Sequence, residues 1–213
     1  MPRLREVPRA DAPPPVQQIY DFVFGEGRDP VAEPGTETGT PGNWWTVFAL
    51  VPDALMHAVA GFAFYRSPSR LLDPGLRELG QMRAGWARQS QFVFSQHCKA
   101  GRSFGLSDEK IDAVPAWQTA DVFSPLERAV LAYTDALVLD GGRVPDGTMA
   151  ALRAGGLSDE QILELTYIVC TYEMHATICR ALRLEYDDVD DRVVEIIGAD
   201  GVRTLDAMRR VDR

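Results

Sequence analysis

The stretch Leu71–Val114, LLDPGLRELGQMRAGWARQSQFVFSQHCKAGRSFGLSDEKIDAV, decides the fold. It divides into three helices. The first follows Asp73-Pro74-Gly75, carries Leu76, Leu79 and Met82, and holds Glu78 in the row of Leu79 and Met82 rather than on the Arg77 side. The second begins near Ser90 and stops at Gly105, because glycine takes the left-handed backbone that closes a helix. The third opens at Ser107-Asp108-Glu109, where a hydroxyl caps unpaired N–H groups and two carboxylates meet the positive end of the helix dipole. His97 falls in line with Val93, Phe94, Ala100, Gly101 and Phe104, so its imidazole is expected to face the interior. Such a histidine either hydrogen-bonds a neighbour within the core or carries a proton for chemistry.

C-terminal to this stretch, Phe123-Ser124-Pro125-Leu126-Glu127 is a helix start with a capping serine, a proline for the first turn and a glutamate to complete a capping box. Leu126, Ala129, Val130, Tyr133 and Leu137 give that helix its buried face, and Asp140-Gly141-Gly142 ends it. A short helix is expected near Asp146–Arg153. Gly155–Glu160 then repeats the Gly-Leu-Ser-Asp-Glu turn of Gly105–Glu109, either as an internal repeat or as a second use of the same start signal. From Ser158 to about Leu182 the pattern is apolar nearly all round (Ile162, Leu165, Ile168, Val169, Tyr172, Ala176, Cys179), the mark of a helix buried on several sides, between subunits as well as within one. His175 and Cys179 on it have a spacing that can ligate metal, but with no second pair nearby they read as packing.

N-terminal to it, residues 1–15 are polar and proline-rich and read as a loose arm, followed by a short helix over Val16–Phe24. Gly25–Asn43 contains five glycines and three prolines with almost nothing apolar. A loop of that length is a lid, a linker or an arm reaching a neighbour. Trp44-Trp45 close it; they either roof a pocket near His97 or divide between anchoring the loop and standing half exposed. Pro52 starts a further helix with Leu55, Val59, Phe62 and Tyr65 on one face and a lone His57. No stretch alternates with period two and there is no Asn-Gly hairpin signal. The fold class is therefore all-α, a compact helical bundle. Three regions are expected: an arm, short helix and loop over 1–43, the helical domain over 44–185, and an acidic, mixed-charge tail over 186–213.

The chain has 213 residues, 46% hydrophobic and 25% charged, with a formal net charge of −9. That balance suits a globular protein and disfavours nucleic acid and anionic membrane surfaces as partners. No apolar run is long and uncharged enough to span a membrane, and no signal-peptide core stands at the N-terminus. Three cysteines, Cys98, Cys170 and Cys179, without framework spacing suit a reducing compartment, so a cytoplasmic location is expected. There is no phosphate-binding glycine loop after a strand, no His-Glu-x-x-His and no Gly-x-Ser-x-Gly. No cofactor and no metal are expected.

Arg77-Glu78-Leu79, then His97, Ala100, Gly105-Leu106-Ser107 and Ile111, in this order and spacing, resemble the carboxymuconolactone decarboxylase and alkyl hydroperoxidase D-like superfamily. The resemblance is close over the quoted stretch and looser beyond it. It implies an all-α bundle that assembles into dimers, trimers or hexamers, with a pocket around His97. It also makes Glu78 and His97 the positions of the family's acid–histidine pair. Two departures stand out. Peroxidase members place Cys-x-x-Cys ahead of the histidine, where this chain has Ser90 and Val93, so thiol peroxidase chemistry is disfavoured. Members nearer the lactone decarboxylase place Glu-Trp four and three residues before the histidine, where this chain has Val93 and Phe94.

A buried histidine oriented by a carboxylate is a competent acid or base near neutral pH. The expected function is acid–base chemistry on a small organic acid or lactone, with His97 and Glu78 catalytic and Trp45, Arg83, Phe94 and Cys98 lining the substrate site. Arg77, Arg83 and Arg88 lie close enough in sequence for one of them to hold a substrate carboxylate; the alternative is that all three are solvated. Two alternatives stay open: a non-catalytic oligomeric binding or scaffold protein, and an antioxidant working through Cys98. The expected partners are a small-molecule substrate and further copies of the chain.

Overall fold

The computed structural model describes residues 1–36 and 39–185; the acidic tail expected over 186–213 lies outside the described residues. Among the described residues there are nine α-helices and no strand: α1 (Pro14–Phe24), α2 (Asn43–Phe48), α3 (Pro52–Arg66), α4 (Pro74–Ala87), α5 (Gln91–Ser103), α6 (Asp108–Ala113), α7 (Pro125–Val138), α8 (Asp146–Ala154) and α9 (Asp159–Leu182). No described helix is long and apolar enough to cross a membrane. The described chain divides into two compact units, residues 1–67 with 178–185, and Pro68–Thr177.

The second unit is built on α4, which is buried from Gly75 through Gly85 apart from Leu76. Two clusters of side chains flank it. Ala84 packs with Val130, Tyr133, Leu152, Leu165 and Val169 of α7, α8 and α9. Leu79 and Met82 pack with Phe94, Cys98, Ile111, Val114 and Leu131. Each fully buried aliphatic side chain contributes about 1.5–3 kcal/mol. Glycine lets the neighbouring helices come close: a Cβ at Gly80 would meet Val169 at 3.0 Å, and one at Gly85 would meet the Phe94 backbone nitrogen at 2.7 Å. Gly75 lies against Phe104 and Leu106 while Gly85 lies against Val93 and Phe94, so α4 and α5 run antiparallel. That arrangement carries Glu78 to His97.

The caps sit where their residue types place them. Ser90 Oγ accepts from Val93 N at 3.4 Å and Ser107 Oγ from Lys110 N at 3.3 Å. Ser124 and Glu127 form a reciprocal capping box, with bonds of 3.2 and 2.7 Å. The two Gly-Leu-Ser turns share one geometry. Gly105 and Gly156 have φ of 88° and 95°, and the N–H of Leu106 and of Leu157 reaches back to the carbonyls of Gly101 and Leu152. Only a residue without a Cβ takes that backbone at little cost.

In the first unit the arm is not loose. Arg3 N donates to Leu182 O at 2.9 Å, Val7 N donates to Thr46 O at 3.0 Å, and Tyr20 Oη donates to Val7 O at 2.9 Å. Backbone hydrogen bonds hold it, which hydrophobic periodicity does not reveal. Likewise the Gly/Pro segment before α2 is tied down. Glu185, buried, accepts from Gly42 N at 3.2 Å and Trp44 N at 2.7 Å, and Asn43 Oδ1 accepts from Glu185 N at 2.8 Å.

Burial, with help from the nearby Glu6 charge, pushes the Glu185 carboxyl up to about 7, while the N–H groups of Trp44 and Gly42 and the Thr40 hydroxyl oppose the rise. A carboxyl raised on folding stabilises most below its ordinary range, and that stability is lost as pH rises through about 7. Glu185→Gln is expected to flatten the fall in melting temperature between about pH 5 and 8, removing a dependence on the order of 2–3 kcal/mol. Differential scanning calorimetry at several pH values checks this; an unchanged slope in the variant would show that Glu185 does not set it.

Candidate active site

Glu78, on α4, is 1% exposed and is held from three sides. His97 Nδ1 lies 2.7 Å from its Oε2. Arg77 Nε and Nη2 donate to its Oε1 at 3.0 and 2.7 Å. The Gln81 amide, turned with its nitrogen toward the carboxylate, donates to both oxygens at 3.3 and 3.2 Å. A buried carboxylate without such partners would be protonated. Burial by itself raises the Glu78 carboxyl, but the charge and hydrogen bond of His97 and then those of Arg77 outweigh it and hold the group below its usual range. With the carboxylate accepting at Nδ1, the neutral imidazole carries its proton there and presents Nε2 as the acceptor.

Tyr172 and His175, from α9, complete the surroundings. The Tyr172 ring meets His97 edge to face at 4.3 Å between centroids, and His175 stands 5.8 Å from Tyr172. Burial, and then the neighbouring His97 charge, push His175 down to about 4. His175 is therefore a neutral imidazole at ordinary pH, able both to donate and to accept. Sequence reasoning assigned both residues to packing; their three-residue spacing on a helix that also buries aliphatic side chains looks the same for a core face and for the wall of a site. Among the described residues no group of three metal-ligating side chains converges.

The other residues expected at the site are placed as follows. Arg83 does not stand ready for a substrate carboxylate: its Nε and Nη2 donate to Asp135 at 2.5 and 3.0 Å, and Nη1 donates to the carbonyls of Val114 and Pro115. Asp135 also accepts from the Trp117 indole at 2.9 Å, so this buried pair ties α4 to α7 and the segment after α6. Arg88 is bound to Glu173 and to the Val138 carbonyl. The arginine that reaches Glu78 is its chain neighbour Arg77, although helical spacing places the two on different rows; the long side chain folds back, with Phe104 under its guanidinium at 5.0 Å. Phe94 and Cys98 lie in the core cluster with Met82 and Ile111, and burial pushes the Cys98 thiol well up. Trp45 belongs to the first unit, half-buried against Trp44 and Phe62, while Trp44 is buried. His57 is exposed. Ser90 and Val93, the positions of the family's redox cysteines, serve as the α5 cap and as buried packing.

Residues 53–136 match the carboxymuconolactone decarboxylase family model. The uncharacterized protein YdfG of Bacillus subtilis (strain 168) is 29% identical over 94 residues, 44% of this chain. The chain spans 63% of that relative's length. A protein of unknown function from Agrobacterium tumefaciens, a candidate AhpD antioxidant defence protein, shares 27% identity over 64% of this chain and 92% of its own, with a TM-score of 0.58. An uncharacterized peroxidase-related protein of Ralstonia eutropha JMP134 with an alkylhydroperoxidase AhpD core superposes with a TM-score of 0.70 at 19% identity, over 88% of this chain and 93% of that one. The debrominase Bmp8, in a variant form bound to 2,3,4-tribromopyrrole, superposes at 0.62 with 19% identity, over 84% and 88%. The family-model match over residues 53–136 and the AhpD-like structures support the carboxymuconolactone decarboxylase and alkyl hydroperoxidase D-like superfamily for this chain.

Proposed function

We propose that the chain is an enzyme of acid–base chemistry, moving a proton next to a carbonyl in a small organic acid or lactone, with His97 as the proton carrier and Glu78 as the group that orients it. The observation that carries this reading is the 2.7 Å contact between His97 Nδ1 and a carboxylate that is 1% exposed. Glu78 fixes the tautomer and leaves Nε2 for the substrate. The match to a lactone decarboxylase family supports a carboxylated lactone or oxo acid as the substrate class. The tribromopyrrole held by Bmp8, a chain of the same fold, supports a small ring as the ligand.

The test is a panel of carboxylated lactones and oxo acids incubated with the protein in deuterated water and followed by NMR. Exchange of a C–H beside the carbonyl, or decarboxylation, that is lost in His97→Gln supports the reading. Exchange that survives in His97→Gln, or none across the panel, sinks it.

A second reading, a binding protein without turnover, is favoured by Arg77: its two bonds to Glu78 complete a charge network that could serve structure alone. Binding of panel members without exchange would select it. Peroxidase activity is not expected. Ser90 and Val93 cannot form a disulfide, and a buried thiol with a raised pKa supplies almost no thiolate. Peroxide consumption with a dithiol reductant should match a blank, and consumption that disappears in Cys98→Ser would restore the antioxidant reading.

A further inference from the structure

His175 is a buried imidazole on a face of α9 that otherwise carries Ile168, Val169, Tyr172, Ala176 and Cys179 into the interior. An aliphatic side chain would pack there at no polar cost, whereas an imidazole brings two ring nitrogens out of water. Helical spacing sets His175 one turn beyond Tyr172. The Tyr172 ring packs against both imidazoles, at right angles to His97 with 4.3 Å between centroids and 5.8 Å from His175. All three rings belong to the second unit. Two imidazoles, one from α5 and one from α9, are thus gathered on a single tyrosine ring.

Their surroundings give them different duties. His97 has a carboxylate at Nδ1, while burial and then the His97 charge keep His175 neutral. A neutral imidazole carries one N–H whichever tautomer it takes, so it donates a hydrogen bond without a charge of its own. Its neutrality is reinforced while His97 holds a proton, because the two charges would repel. That is the moment at which proton abstraction leaves a negative oxygen on the substrate.

We propose that His175 is the oxyanion-binding partner of His97, donating its N–H to the carbonyl oxygen of a substrate whose acidic C–H and carbonyl share one planar unit. The role rests on the acid–base reading of His97. His97 Nε2 takes the proton from carbon, and the C–H electron pair becomes the carbon–carbon double bond of an enolate. The carbonyl π pair moves to oxygen, where the His175 N–H meets it. The reverse flow returns the proton from Nε2 to carbon. A fixed neutral donor acts most strongly where charge grows on oxygen, so its loss lowers turnover more than it weakens substrate binding.

Two assays on the full chain separate this role from that of His97. The first uses substituted phenols of graded acidity, whose phenolates carry the planar C–O⁻ of an enolate, titrated at neutral pH and followed by calorimetry. Wild type is expected to bind the more acidic phenols more tightly. His175→Phe, which keeps a ring without an N–H, should bind them about tenfold more weakly, the worth of one hydrogen bond. His175→Leu serves in its place if the phenylalanine variant melts early. His175→Asn and His175→Gln each set a neutral N–H near one ring nitrogen, and the better of the two should keep the wild-type affinity within about threefold. The second assay is C–H exchange in deuterated water, where His175→Phe should lower kcat about 100-fold with little change in KM. No phenol binding by wild type, equal binding by the variants without an N–H, or amide variants no better than these would each overturn the proposal. Exchange lost in His97→Gln but kept in His175→Phe would remove His175 alone, whereas exchange indifferent to His97→Gln would sink the acid–base reading and this role with it.

Discussion

His97→Gln is expected to lower turnover on any substrate found by the exchange assay by about 100-fold or more, the usual contribution of one positioned general acid–base group. Glutamine can still reach toward Glu78, so the carboxylate keeps partners on three sides and its charge stays balanced by Arg77. The fold should survive with a loss of about 1.5–3 kcal/mol at most, the worth of a hydrogen bond to a charged group. What glutamine cannot do is take up and release a proton, because its side-chain amide is not a base in water. Steady-state kinetics beside thermal melts separates the two effects. A variant that keeps more than a tenth of the turnover would remove His97 from the chemistry; one that does not fold would show that the pair is structural first.

Glu78→Ala has the opposite signature, a large loss of stability. It leaves the Arg77 guanidinium and the His97 ring in the protein interior without their acceptor, and breaking a buried ion pair from one side costs about 3–5 kcal/mol. The pH dependence follows from the depressed Glu78 carboxyl. A group whose pKa falls on folding stabilises above its ordinary range, and that stability is lost as pH falls through the lowered value. The gap between wild type and Glu78→Ala should therefore be widest at neutral pH and narrow in strong acid. Urea unfolding at neutral and acidic pH measures it. A gap below about 1 kcal/mol at neutral pH would mean that Arg77 and His97 find other partners at little cost.

Much of the second unit was legible because its helices carry local signals. Ser90, Ser107 and Ser124 cap where a hydroxyl precedes an apolar period, and Gly105 and Gly156 take the positive φ that their positions require. The Glu78–His97 contact was legible from two adjacent antiparallel helices and a resemblance that marks the same two positions. The partners of the arginines were not. Arg83 finds Asp135, 52 residues away, and Arg88 finds Glu173, 85 residues away; such pairs depend on how helices distant in sequence pack. Arg77 was misplaced because helical rows describe Cβ directions, and a long side chain can turn back on its neighbour. The N-terminal arm was misread for a related reason: its fixing bonds run from backbone groups to the end of α9 and to α2, and composition carries no trace of them.

The most direct test of the acid–base account is the tautomer of His97, read from long-range proton–nitrogen NMR correlations of its ring at a series of pH values. With Glu78 Oε2 at 2.7 Å from Nδ1, the account requires Nδ1 to stay protonated throughout and Nε2 alone to gain and lose the proton. A neutral ring with its proton on Nε2 and a bare Nδ1 would contradict it, because Glu78 would then not be holding the base in the form that the chemistry needs.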